Sequence, residues 1–190
     1  MRIAVIGTGN VGGALGQRWR GAGHDVVYGG RSAGRQGPGG APVLAVADAL
    51  AGADVVVLAL PGPVVAEVIA PHGAALDGLV VIDAANNIGA AEVSSHAAVA
   101  AAAPGAYYAR AFNTLGWENF VDPPPGAVLF YAADAGARPA TEELITAVGL
   151  EPVLAGDASA AGAVDSLLPL WFALMQQHGG NRRIALRVTQ

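Results

Sequence analysis

Residues 2–6, RIAVI, form a β-branched apolar run that stops at a glycine, and the next stretch, GTGNVGGALGQRW, opens a helix with Val11, Ala14, Leu15 and Trp19 at helical spacing. Few folds accommodate a strand that enters a helix through Gly7-Thr8-Gly9-Asn10-Val11-Gly12. GxGxxG alone is a weak pattern, but between a strand and a helix, inside a strand–helix–strand unit, it marks a dinucleotide-binding turn. Gly7 makes the tight turn, Gly9 lets the backbone approach a pyrophosphate, and Gly12 lets the helix pack on the strand. Thr8, Asn10 and Val11 complete the turn, and the helix N-terminus offers free N–H groups to the phosphates.

Strand and helix signals alternate from there on. Strands are expected at Arg2–Ile6, Asp25–Tyr28, Asp54–Leu60, Leu79–Asp83, Tyr107–Phe112, Ala127–Ala132 and Ile184–Val188. Helices are expected at Asn10–Gly21, Ala45–Ala51, Val64–Ala70, Glu92–Ala103, Pro139–Val148 and residues 159–178. Residues 29–42, GGRSAGRQGPGGAP, are too broken for a long helix, so the helix that usually follows the second strand is short or missing. The pattern predicts an α/β fold: a doubly wound, mostly parallel Rossmann-type sheet with a short C-terminal helical extension. With 190 residues and no linker-like boundary, the chain reads as a single domain, 1–190. Residues 155–190 are expected to complete a substrate pocket or make a dimer contact.

Composition narrows the function. The chain is 53% apolar and 13% charged, which suits a buried parallel sheet. Its formal net charge is −5, all ten basic residues are Arg, and there is no basic stripe, so no nucleic-acid partner is expected. There is no Cys, which excludes disulfides and thiolate chemistry, and the four His show no metal-binding spacing, so no metal is expected. No membrane association is expected, because every long apolar run is interrupted by Gly, Pro or charge. The N-terminus is a strand rather than a leader, so the expected location is cytoplasmic.

The choice of nicotinamide cofactor follows from the end of the second strand. An NAD site would carry Asp or Glu about 20 residues after the glycine turn. Gly29-Gly30-Arg31-Ser32 stands there instead, and Asp25 comes too early. Arg31 and Arg35 supply guanidinium forks, and Ser32 a hydroxyl, for a 2′-phosphate. NADP(H) is therefore the expected cofactor.

Taken together, IAVIGTGNVGGALG, VVYGGRS, ADVVVLALP, VVIDAANN and ARAFNTLGWENF resemble the NADP oxidoreductases that depend on coenzyme F420, an 8-hydroxy-5-deazaflavin. The resemblance covers most of the chain. It implies NADPH on the C-terminal edge of the sheet, a homodimer, and a second ring system, deazaflavin or flavin, stacked near the nicotinamide.

In such a sheet, ligands sit beyond the C-terminal strand ends. Besides the glycine turn, these ends are Ala59-Leu60-Pro61, against the nicotinamide ribose; Ala84–Asn87; and Phe112-Asn113-Thr114. Asn86 and Asn113 are candidates to orient the carboxamide or a second substrate. Trp117 and Phe120 are candidates for an apolar wall beside a planar ring, with plain packing the alternative. Asp165, spaced with Leu168 and Phe172, is the weak catalytic candidate; its other reading is a pair with Arg182 or Arg183. With no Lys in the chain, the usual Lys-assisted proton donors of carbonyl reductases are lacking. Hydride transfer between two ring cofactors mainly needs the rings held face to face. The leading expectation is hydride transfer between NADPH and coenzyme F420 or a flavin such as FMN. One alternative is reduction of a small imine or carbonyl, with Asp165 or a Tyr as proton donor; another is a non-catalytic NADP(H) sensor.

Overall fold

The computed structural model describes residues 1–189. The chain runs β1 (Arg2–Ile6), α1 (Asn10–Gly21), β2 (Asp25–Gly29), β3 (Val43–Leu44), α2 (Val46–Leu50), β4 (Val55–Leu58), α3 (Gly62–Ile69), α4 (Gly73–Leu76) and β5 (Val80–Asp83). It continues with α5 (His96–Ala102), β6 (Tyr107–Arg110), α6 (Glu118–Val121), β7 (Val128–Ala133), α7 (Arg138–Ala147), β8 (Glu151–Gly156), α8 (Ala161–Asp165) and α9 (Leu167–Gln177). Among the described residues the strands form one eight-stranded sheet in the order β3-β2-β1-β4-β5-β6-β7-β8. All neighbours are parallel except β6 and β7. The order reverses between β1 and β4, and that switch point lies beside the glycine turn.

Alternation along the strands divides the core. Ile3, Val5, Val55 and Val57 face α1 and α7, while Ala4, Ile6, Val56 and Leu58 face α2, α3 and α5. These strands are apolar on both sides because helices cover both faces. On the first face, Trp19 of α1 is fully buried and its indole N–H donates to the Leu144 carbonyl of α7 at 3.0 Å. Phe112 stacks edge-on against both Trp19 and Phe120, with centroids 5.6 and 5.7 Å apart. Phe120 is therefore core, as the packing alternative had it, and forms no wall for a ring.

Several boundaries differ from the sequence reading, each for a local reason. The strand expected to reach Phe112 ends at Arg110, because Phe112 takes a left-handed φ of 63° and turns the chain. The helix expected from Glu92 starts at His96, because the preceding Ser95 N–H is held by the Asp83 carboxylate at 2.6 Å. The Pro-broken segment Glu151–Gly156, unassigned in sequence, is the edge strand β8. Edge strands tolerate Pro because one side of the strand carries no partner. The expected terminal strand Ile184–Val188 makes only a single bridge, Leu186 to Val128. After the second strand there is only a 3-10 turn at Pro38–Gly40, as the broken sequence implied.

The single helix expected over 159–178 is three pieces: a 3-10 turn at Ala158–Ala160, then α8 and α9, parted at Ser166. Ala158–Gln177 is long and apolar enough to cross a membrane by length and composition, at 20 residues and a mean hydropathy of 1.4. Asp165 and Pro169 interrupt that stretch.

Candidate functional site

The glycine turn is shaped by what each position excludes. Gly7 has φ +117°, and a Cβ there would overlap the Ala59 carbonyl oxygen. A Cβ on Gly12 would overlap the Gly7 carbonyl oxygen and press on Ala59 Cβ at 3.1 Å. These two glycines are therefore needed by the fold itself. Gly9 differs: its φ of −72° suits any residue, and a Cβ there would meet nothing within 4 Å. It is the N-cap of α1, and no side chain caps that helix end. The N–H groups at the start of α1, at Asn10, Val11 and Gly12, are thus free for an anion, and the helix dipole favours one.

The open space in front of Gly9 is a groove of about 1140 Å³ along the C-terminal edge of the sheet. Its lining takes in Gly7, Thr8 and Gly9, with Ala59, Leu60 and Pro61 directly beside Gly7, and Arg31, Ser32 and Arg35 from the loop after β2. Arg31, Ser32 and Arg35 are exposed, and neither arginine has a carboxylate partner among the described residues. At the end of β2, where an NAD site needs an acid, the chain carries Gly29 and Gly30. The residues present fit a dinucleotide bearing an extra phosphate: a backbone cradle, then two free guanidinium groups.

The sequence reading missed a further part of the lining, Val64, Glu67, Val68 and His72 from α3 and the 3-10 turn after it. A signal was present: Val64, Val68 and His72 recur at intervals of four, on one helix face.

Ala84, Asn86 and Asn113 are not among the groove's lining residues; they lie on the next strand ends. The Ala84 N–H donates to the Leu58 carbonyl at 3.1 Å, which puts Ala84 one strand over from Ala59. Gly62 packs so closely on the Asn86–Asn87 backbone that a Cβ would collide with it. These residues are held together by Arg110, which is fully buried and was not anticipated. Its Nε donates to Asp165 Oδ1 at 2.8 Å, its Nη2 to Asn86 Oδ1 at 2.6 Å, and its Nη1 to the Ala85 and Asp83 carbonyls. Asp83, also fully buried, has Oδ2 3.2 Å from Nη1 and accepts the Tyr108 hydroxyl at 2.9 Å and the Ala85 and Ser95 N–H groups. Burial and the adjacent Asp83 carboxylate push the Tyr108 phenol well above its ordinary range, so it stays a neutral donor.

Asp165 pairs with Arg110, not with Arg182 or Arg183, which reach Glu118 and Asp122 instead. Asp165 Oδ1 also accepts the Asn113 amide at 2.9 Å, and Asn86 donates to the Asn113 carbonyl at 2.8 Å. Burial raises the Asp165 carboxyl above its ordinary range against the opposing pull of Arg110. Asp165 also borders a smaller cavity of about 380 Å³ between the start of α5 and α8, with Glu92, Ser94, His96, Ser159 and Ser166.

Fold and groove together define a dinucleotide-binding α/β protein. Residues 2–87 match the family described as NADP oxidoreductase, coenzyme F420-dependent. That match spans the glycine turn, the groove residues Arg31–Arg35 and Ala59–Pro61, and the loop after β5. Over its whole length it superposes on a protein of Arthrobacter sp. FB24 assigned as an F420-dependent NADP reductase, with a TM-score of 0.87, 25% identity and 100% of both chains covered. A hypothetical protein of Sinorhizobium meliloti shares 26% identity at a TM-score of 0.73, covering 100% of this chain and 96% of the other. An Aspergillus terreus imine reductase, solved with NADPH4 and dibenz[c,e]azepine, shares the fold at 20% identity and a TM-score of 0.73 over 94% of this chain and 63% of its own.

Proposed function

We propose that this protein binds NADP(H) in the groove at Gly7–Gly12 and Arg31–Arg35 and transfers hydride between NADPH and a deazaflavin such as coenzyme F420, or a flavin. One observation carries the cofactor half: the open cradle at Gly9 faces two unpaired arginines where an NAD site needs an acid. The N–H groups of Asn10, Val11 and Gly12 bind the pyrophosphate, and Arg31, Ser32 and Arg35 bind the 2′-phosphate. Ala59, Leu60 and Pro61 support the nicotinamide ribose, with Ala84, Asn86 and Asn113 beside the carboxamide. NADPH, when bound, supplies the hydride.

The acceptor half rests on what the carboxamide edge lacks. The chain has no Lys, and both acids beside that edge are already engaged, Asp83 by Arg110, Tyr108 and two backbone N–H groups, Asp165 by Arg110 and the Asn113 amide. An edge without a free proton donor suits a ring-to-ring transfer, where positioning carries most of the chemistry. The family and the F420 assignment of the Arthrobacter protein point the same way. The cavity beside Asp165 favours a second reading, reduction of a small imine or carbonyl in which that carboxyl gives the proton.

A homodimer belongs to this proposal, with residues 155–190 as the extension that makes the contact within the single 1–190 domain. Of α9's mostly apolar residues only Leu168 and Trp171 are buried, and Leu170 is 49% exposed. Light scattering on the purified protein tests it. The decisive assay for function is NADPH oxidation with coenzyme F420, FMN and an imine panel in parallel. Turnover with F420 or FMN alone supports the first reading; turnover with the imines alone replaces it with the second. Binding without turnover on any of them leaves a sensor.

A further inference from the structure

A fully buried arginine is expensive unless every donor and its charge are answered, and Arg110 is answered on all sides. Its partners come from two separate parts of the chain. Asp83 ends β5, Ala85 and Asn86 lie in the loop directly beyond it, and Asp165 belongs to the last turn of α8. The same Asp165 oxygen fixes the Asn113 amide. Because a carboxylate only accepts, the atom facing it must be Asn113 Nδ2, and the remaining Asn113 atom is therefore a carbonyl-type acceptor. That acceptor, Oδ1, is buried and has no hydrogen-bond partner among the described residues. Asn113 is only 4% exposed and lies outside the groove's lining, so its part is to fix the strand end through Asp165 and not to touch a ligand directly.

We infer that Arg110 is a positioning residue. It holds the Ala84–Asn86 edge and, through its counter-ion Asp165, the Asn113 amide, and so keeps in place the strand ends beside which the nicotinamide carboxamide lies. The inference rests on the cofactor reading above and assigns Asp165 a structural charge in place of a proton. It also ties the C-terminal segment to the cofactor: α8 ends on the residue that completes the clamp, so a change in α8 is felt at the nicotinamide and not at the phosphates.

The test separates the two halves of the cofactor. NADPH and 2′,5′-ADP, which has the adenosine and 2′-phosphate but no nicotinamide, are titrated against the wild type and the variants Arg110→Lys, Arg110→Met, Asp165→Asn and Asn113→Ala. Lys keeps the charge with fewer donors in a different geometry, so it should rescue in part. The expected result is unchanged 2′,5′-ADP binding throughout. NADPH binding should fall about tenfold in Arg110→Met and Asn113→Ala and less in Arg110→Lys, the size of one lost charge-assisted or buried hydrogen bond. In Asp165→Asn the NADPH affinity should fall as well, with the shape of the pH–rate profile retained.

If Arg110→Met loses 2′,5′-ADP too, it has lost its fold, and Arg110→Lys and Asn113→Ala decide. Wild-type NADPH affinity in both of those overturns the positioning role while the cofactor reading stands. A collapse of kcat in Asp165→Asn, with intact NADPH binding and a missing pH limb, makes Asp165 a proton donor and overturns its part in the clamp. A wild type that binds neither ligand overturns the cofactor reading itself.

Discussion

Gly9→Ala separates folding from cofactor binding. At this position the backbone (φ −72°, ψ −169°) is one that alanine adopts freely, and the added methyl meets no protein atom within 4 Å. Alanine is a poorer N-cap than glycine, at a cost of up to about 1 kcal/mol. The stiffer unfolded chain offsets about 0.4–1 kcal/mol of that. The net change should stay within about 1 kcal/mol, or about 2–4 °C in Tm for a chain of this length. The methyl, however, stands where the pyrophosphate must approach the free N–H groups of α1. Losing one charge-assisted hydrogen bond costs about 1.5–3 kcal/mol. That is roughly a tenfold to hundredfold weaker Kd for NADPH. Gly7→Ala is the contrast: φ +117° and overlap with the Ala59 carbonyl damage the fold, so stability and binding fall together. Thermal melts and titration of NADPH by fluorescence measure both. A Gly9→Ala protein that melts like wild type and binds NADPH equally well would show that the groove in front of Gly9 is not the phosphate cradle.

Three further outcomes follow from the same structure. Arg31→Ala removes a guanidinium facing the 2′-phosphate and should weaken NADPH about fivefold to thirtyfold, an exposed charge-assisted contact, while NADH binding barely moves; equal losses for both would refute the NADP assignment. Trp19→Phe leaves the buried Leu144 carbonyl without its donor and opens a gap, at a cost of about 2–4 kcal/mol, read as a Tm drop of roughly 5–15 °C. Tyr28 is fully buried with its hydroxyl unpartnered, and burial pushes that phenol up to about 12 from 10.0. The native value lies above the unfolded one, so the neutral phenol's contribution is complete below pH 10 and is lost as pH rises through about 12. Tyr28→Phe should therefore be near neutral at pH 7 and gain on the wild type between pH 10 and 12; parallel pH curves for the two would contradict the burial argument.

The first half of the fold was legible because its determinants are local. The glycine turn, the apolar runs of β1, β4 and β5, and the broken stretch after β2 each carry their own signal within a few residues. The C-terminal third was less legible. β8 was hidden by Pro152 in a strand only half covered, and α8 and α9 read as one helix although Pro169, which has no N–H to give the Asp165 carbonyl, marks the break at Ser166. Phe112 ended β6 two residues early, and a left-handed phenylalanine is something no pattern of apolar residues foretells.

The site divides in the same way, and the reason is chemical. Phosphates are held by backbone N–H groups and by arginines on exposed loops, so the residues that bind them sit at fixed offsets from the turn and can be counted along the chain. The carboxamide edge is held by side chains that meet only after folding: Arg110 reaches Asp165, 55 positions away, and Asp83, 27 positions away. Half of that cluster was still open to a more careful reading. VVID and YYAR are two apolar strands that each end in a charge, and parallel neighbours in one sheet bring such ends level; Asp83 and Arg110 are indeed register partners. Two opposite charges at the ends of adjacent buried strands have no solvent to turn to, so they must meet each other. Arg110 has more donors than one carboxylate can accept, and that surplus draws in the end of α8 and with it Asp165. Asp165 stood out in the sequence as an isolated acid in an apolar helix, which suggested a proton donor. Its position is explained equally well by the demand of a buried cation on the neighbouring strand.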